Sequence, residues 1–208
     1  SGFIGKNLVN KLLENGHRVR IFLRDIKQKK LFNNKNIEFF IGNLDNMSDL
    51  NKSTKAVQVI YHLAAIRDKW DTPWEEYYKI NVKNTKNLLE SAVKNKVNQF
   101  IYCSSISVIT KPFSNKFYGK SKKIAEKIVN NYSSKIKTTI DRPVITYGPD
   151  DNGMIFKLIS MINSGKYLTV GSGENRVHLC YIDDLIQGFL LTLNNKKAFG
   201  RTFCFCGP

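Results

Sequence analysis

Long apolar runs are missing from this sequence: none approaches the roughly eighteen residues that a membrane span needs. The expectation is a soluble, cytoplasmic protein without a membrane partner. Cysteine is scarce too, and Cys103, Cys180, Cys204 and Cys206 stand neither as a C-x-x-C pair nor beside histidines at zinc-site spacing. That argues against a metal centre and a disulfide framework. The neighbours of all four read as buried strands, so they are expected as small core hydrophobes in a reducing compartment. Internal repeats, low-complexity segments and linkers are absent as well.

Acidic residues are few: 17 Asp and Glu face 33 Lys and Arg, for a net charge of +16. Such a balance is the usual footprint of phosphate neutralisation. Here, however, the lysines are spread over every segment. The short runs "KQKK" and "KSKK" lack the interleaved aromatics of a base-stacking surface. Solvated basic faces explain the charge better than nucleic acid does, and the residual long-range field attracts polyanionic small molecules.

What is present is alternation. The runs "RVRIFL", "IEFFIG", "VQVIYHLAA", "NQFIYCSS" and "TTIDRPVI" read as apolar strands, separated by segments with helical apolar spacing. Strands apolar nearly throughout and divided by helices predict an α/β fold, a doubly wound parallel sheet covered on both faces. "EEYYKINVKNTKNLLESAVKN" and "YGKSKKIAEKIVNNY" are expected as crossover helices. "GKYLTVGSGENRVHLCYIDDLIQGFLLTL" reads as strand, glycine turn, strand, and a helix capped by Asp183 or Asp184.

The first residues, "SGFIGKNLV", carry Gly2 and Gly5 at the spacing of the last two glycines in a G-x-x-G-x-x-G turn, followed by helical spacing. In a wound sheet such a turn follows the first strand. The chain is therefore expected to be a fragment that lacks this strand, and to be poorly stable alone because two strands lose a ladder partner. Further on, Tyr118 and Lys122 stand four apart on one helix face. They follow a strand ending in Ser104 and Ser105, at the rim where open α/β sheets bind ligands.

Taken in order, "SGFIG", "HLAA", "INVKNTKNLL", "YCSSISV", "YGKSK", "RPVITYGP" and "GSGENRVHLCYIDDL" resemble the extended branch of the short-chain dehydrogenase/reductase superfamily, also called the NAD-dependent epimerase/dehydratase family. The resemblance runs over nearly the whole chain. It implies a Rossmann-like NAD(P)-binding domain over residues 1–148 and a partial substrate lobe with returning Rossmann elements over 149–208. It also implies that Tyr118 is the acid/base, that Lys122 holds the nicotinamide ribose and lowers the Tyr118 pKa, that Ser105 binds the reacting oxygen, and that Asn81 helps to order the site. A nearby ammonium does favour a phenolate, so the chemistry agrees. Gly2, Phe3, Ile4, Gly5, Arg24, Asn43, Leu44, Leu63, Ala64, Ala65, Lys122 and Pro143 are the implied cofactor contacts.

At the end of the second family strand an acid normally holds the ribose 2′-hydroxyl of NAD. Leu23 stands there with Arg24 beside it, which favours NADP over NAD, while Asp25 keeps NAD open or simply caps the following helix. Asn43 replaces the usual adenine-facing aspartate, and the stretch from Ser105 to Tyr118 is short for the family. Family dehydratases carry Asp-Glu after the catalytic hydroxyl residue; Ile106 and Ser107 follow Ser105 here, which argues against a dehydratase. The expected function is an NAD(P)-dependent oxidoreductase acting on a carbonyl or secondary alcohol of a small-molecule substrate. A nucleotide-sugar epimerase and a non-catalytic NAD(P)-binding sensor or scaffold are the alternatives. The helices near 78–95 and 118–132 suit a homodimer interface.

Overall fold

The computed structural model describes residues 1–67, 71–110, 116–167, 171–174 and 176–207. The alternation becomes an α/β fold. Helix α1 (Phe3–Glu14) leads to β1 (Val19–Leu23) and β2 (Ile37–Ile41), and α2 (Met47–Ser53) leads to β3 (Val59–His62). Next come α3 (Trp74–Tyr77), a π-helical turn over Tyr78–Lys83, α4 (Asn84–Lys94) and β4 (Gln99–Cys103). After these, α5 (Lys116–Asn131) precedes β5 (Lys137–Pro143) and β6 (Ile145–Tyr147), while α6 (Met154–Asn163) precedes β7 (Leu179–Tyr181). Finally α7 (Ile182–Thr192) returns the chain to β8 (Arg201–Phe205).

Every ladder among the described residues is parallel, in the order β3-β4-β5-β8 for the main sheet, with separate pairs β1-β2 and β6-β7. Parallel pairing requires long crossovers, and the helices supply them. β4 is buried along its whole length, as a strand covered on both faces must be. On one face Leu50 of α2, Leu88 and Leu89 of α4 and Val129 of α5 pack on Phe100, Tyr102 and Ile140. On the other, Leu8 and Leu12 of α1 and Leu185 and Phe189 of α7 pack on Cys103 and Val144. Each leucine-sized side chain buried this way contributes roughly 1.5–3 kcal/mol, which holds the helices against the sheet.

No ladder joins β1 to β3 among the described residues. Val19 to Phe22 on one side and Val59 to Tyr61 on the other instead line a common cleft with Leu8, Val9 and Leu12 of α1. Arg20 ties the β1-β2 pair to the rest: its Nη1 donates to Ser53 O at 2.8 Å and to Lys55 O at 2.7 Å, and its Nη2 pairs with Glu38 at 2.8 Å.

Several sequence expectations change. Cys103 and Cys180 are buried, but Cys204 and Cys206 are exposed. Phe205 faces the core, so strand alternation turns its neighbour Cys204 outward. Asp183 and Asp184 do not cap α7. The N-cap is Tyr181, and the two acids occupy the first turn, where they oppose the positive end of the helix dipole. The single long helix expected over "EEYYKINVKNTKNLLESAVKN" is divided by the π turn. Asp25 does cap, accepting from Lys27 N at 2.9 Å at the head of the 3-10 helix Ile26–Leu31. The strand expected at "YLTV" falls mostly on 168–170, and part of the Ser105–Tyr118 loop on 111–115; both lie outside the described residues.

Candidate active site

The first turn of α1 is open. Gly2 is its N-cap in extended backbone, with no side chain capping the helix. A Cβ at Gly2 would meet no atom within 4 Å, and one at Gly5 only Leu63 Cδ1 at 3.7 Å. The first turn of this twelve-residue helix borders the cleft, and its leading N–H groups with the positive dipole end suit an anion such as a pyrophosphate.

Across the cleft, β4 ends at Cys103 and the chain turns through Ser104 and Ser105. Ser105 starts the short 3-10 helix Ile106–Val108: its Oγ accepts from Ser107 N at 3.2 Å and donates to Ser107 Oγ at 3.1 Å. This helix lies hard against α5. A Cβ at Gly119 would sit 2.5 Å from Ser107 O, so only glycine permits this close approach of α5 to the serine turn.

One turn beyond Tyr118, Lys122 is only 2% exposed. Its Nζ donates to Cys103 O at 2.6 Å and lies 4.3 Å from the centre of the Tyr102 ring. Burial pushes the amine down to about 8, with Cys103 and Glu126 opposing the shift. Lys122 is thus a charged ammonium at neutral pH, but not by a wide margin.

Asn81 does not reach the cleft. The π turn swings it inward, where it braces two elements at once: Oδ1 accepts from Ile66 N at 2.8 Å, and Nδ2 donates to Ile66 O at 3.0 Å and to Ser121 Oγ at 2.9 Å. Ser121 Oγ in turn donates to Tyr118 O at 2.8 Å. The loop after β3 and the Tyr118 helix are thereby joined through one buried amide. Thr85 extends the brace, donating to Asn81 O at 2.7 Å and meeting His62 Nε2 at 2.9 Å. Burial, helped by the Lys122 charge, holds His62 down at about 3, so its ring is neutral. Sequence reasoning missed Ser121, although its place between Tyr118 and Lys122, three residues after Tyr118, was a usable signal.

Apart from Asn81, every residue named from the sequence as catalytic or cofactor-binding lines one cleft. Gly2, Phe3, Ile4 and Gly5 come from α1, and Arg24 follows β1. Asn43 and Leu44 follow β2; Leu63, Ala64 and Ala65 follow β3. Ser105 follows β4, Tyr118 and Lys122 lie on α5, and Pro143 ends β5. These are carboxyl ends of parallel strands, the ligand side of open α/β sheets. At about 2510 Å³ the cleft exceeds the roughly 300–1,000 Å³ of ordinary ligand pockets because it continues into the space between β1 and β3. Arg24 is exposed on its wall and Leu23 buried below, while the Asp25 carboxylate is occupied as a cap. Asn43 Oδ1 accepts from Asp45 N at 3.1 Å, and Asn43 N donates to Asp49 Oδ2 at 3.0 Å. Among the described residues no cluster of His, Cys, Asp and Glu could hold a metal ion, and no helix is long and apolar enough to cross a membrane.

The NAD dependent epimerase/dehydratase family model matches residues 1–203. The mouse (Mus musculus) sterol-4-alpha-carboxylate 3-dehydrogenase, decarboxylating, is 31% identical over 96% of this chain and 60% of its own length. A 3-beta-hydroxysteroid dehydrogenase of Mycolicibacterium neoaurum is 32% identical over 96% of this chain and likewise 60% of its own. The chain thus spans 60% of the length of these two curated relatives. Among solved structures, the UDP-glucuronic acid 4-epimerase of Bacillus cereus in complex with NAD superposes with a TM-score of 0.86 at 29% identity, over 99% of this chain and 75% of the epimerase.

Proposed function

This chain belongs to the NAD dependent epimerase/dehydratase family, and from that membership we propose that the protein is an NAD(P)-dependent oxidoreductase that interconverts a carbonyl and a secondary alcohol. The observation that carries the reading is the convergence of Ser105, Tyr118 and Lys122 on the same cleft as the open first turn of α1. A nicotinamide dinucleotide, when bound, supplies or accepts the hydride. Tyr118 Oη gives its proton to the carbonyl oxygen in reduction and takes it back in oxidation. Ser105 Oγ hydrogen-bonds that oxygen, for which its present bond to Ser107 Oγ must open. The Lys122 ammonium holds ribose hydroxyls and favours the Tyr118 phenolate.

NADP is favoured over NAD, supported by the exposed Arg24 guanidinium at the end of β1 and by the engagement of Asp25 as a helix cap. Titrating NADPH and NADH separately tests this: NADPH should bind more tightly, and equal or tighter NADH binding removes the preference. An epimerase is the second reading, favoured by the similarity to a UDP-glucuronic acid 4-epimerase, so the substrate would then be a nucleotide sugar. Separate incubations distinguish the two. A reductase oxidises NADPH when given a ketone such as a 3-ketosteroid, whereas an epimerase supplied with the oxidised cofactor inverts a UDP-sugar with no net cofactor change. Absence of both activities would sink the enzymatic proposal.

A further inference from the structure

Four residues beyond Lys122 on α5 stands Glu126, 5% exposed; that spacing puts both side chains on one helix face. Arg142 of β5 grips it with two prongs: Nε donates to Oε1 at 2.8 Å and Nη2 to Oε2 at 2.6 Å. A planar fork of this kind fixes the orientation of a carboxylate as well as its distance. Buried ion pairs are costly to desolvate, and an apolar pair would staple α5 to β5 equally well. The charge needs another reason.

The surroundings of Lys122 supply it. From β4 come the Tyr102 ring, the Cys103 carbonyl and the Cys103 thiol, which burial keeps protonated. From β3 comes the neutral His62. The helix itself contributes Tyr118 and Glu126, and β5 contributes Asp141 and Arg142. The Asp141 carboxyl is buried among Tyr61, Cys103 and Thr192, and the Arg142 fork is taken by Glu126. Among the described residues no carboxylate lies within ion-pair distance of Lys122; of the two groups that favour its ammonium, Cys103 and then Glu126, Glu126 is the carboxylate.

Resting on the reading of Lys122 as the ribose-holding cation, we infer that Glu126, held by Arg142, is a positioning residue for Lys122. Its charge keeps the buried amine protonated, while the fork prevents it from closing onto that amine and leaves Nζ for a ligand. Without Glu126 the amine would lose charge near neutral pH; without the fork it would be captured in an ion pair.

Lysine labelled with ¹³C at Cε, with the Lys122 signal assigned by Lys122→Met, follows this amine in the intact protein by NMR. Glu126→Gln keeps shape and hydrogen-bonding oxygen but loses the charge. It should lower the Lys122 midpoint by about one pH unit, and weaken NADPH binding at pH 8 several-fold. Glu126→Asp, which keeps the charge, should restore much of both. An unmoved midpoint in folded Glu126→Gln protein would reduce the pair to a staple and overturn the inference. Should that variant not fold, Arg142→Lys is read instead: a loosened carboxylate should raise the midpoint, and an unchanged or lower one overturns it. The titration reports on Lys122 whether or not any substrate turns over. Failure here leaves the hydride-transfer proposal standing, and an inactive protein with a shifted midpoint leaves this one standing.

Discussion

Among the described residues, Asp141 is a buried acid with little support for its charge. It is wholly buried on β5; Oδ2 accepts from Thr192 Oγ1 at 3.3 Å, and Oδ1 has no partner. Burial pushes its carboxyl up to about 7 from an ordinary 3.8. The unfolded chain therefore ionises Asp141 from about pH 4 upward while the folded chain keeps it protonated, so stability falls as pH rises through this window and the full cost stands above 7. His62 acts in the opposite sense over roughly pH 3 to 6.5, since its folded value is depressed to about 3. The two are separated by comparing wild type with Asp141→Asn in urea melts at several pH values. The variant should gain on wild type as pH rises from 4 to 8, by on the order of 4 kcal/mol. A constant difference across that range would show that Asp141 does not titrate on folding.

The element that matters most is α5, because it carries Tyr118, Lys122 and Glu126 and is seated by Gly119. A helix interior ordinarily prefers alanine to glycine by about 1 kcal/mol. At Gly119 the contact with Ser107 O outweighs that preference, since a Cβ would force α5 away from the serine turn. Gly119→Ala should lower turnover roughly 10- to 100-fold through the displaced Tyr118, while cofactor affinity changes little. A variant that is both more stable and fully active would show that the close approach is dispensable. Much of this element was legible beforehand: apolar spacing marked the helix, and the Tyr118–Lys122 interval placed both on one face. The Glu126–Arg142 fork was not, because its partners lie 16 residues apart and meet only when α5 packs on β5. Nor was the π turn over Tyr78–Lys83, since the apolar rhythm on either side gives no sign of where a wide turn will fall. Asn81 was therefore recognisable by residue type but not as a buried brace.

For the whole molecule, periodicity foretold the α/β class and most strand positions, and family likeness named residues that, Asn81 apart, line one cleft. It did not foretell which face of β8 Cys204 takes, because alternation fixes sides only relative to a known core contact. Arg20 reaches from β1 to the carbonyls of Ser53 and Lys55 and so ties the β1-β2 pair to the turn before β3. Arg20→Met should speed amide exchange in Val19–Leu23 and Ile37–Ile41 by roughly tenfold without affecting β4, as expected for loss of charge-assisted bonds that limit a local opening. Uniform acceleration throughout the chain would mean instead that the flank opens only with global unfolding. In the proposed mechanism, what the cleft does hangs on one phenol. The most direct measurement pairs steady-state turnover with NADPH affinity for Tyr118→Phe. Turnover is predicted to fall by about 10²- to 10⁴-fold with cofactor affinity nearly unchanged, whereas turnover at the wild-type rate would contradict the account at its centre.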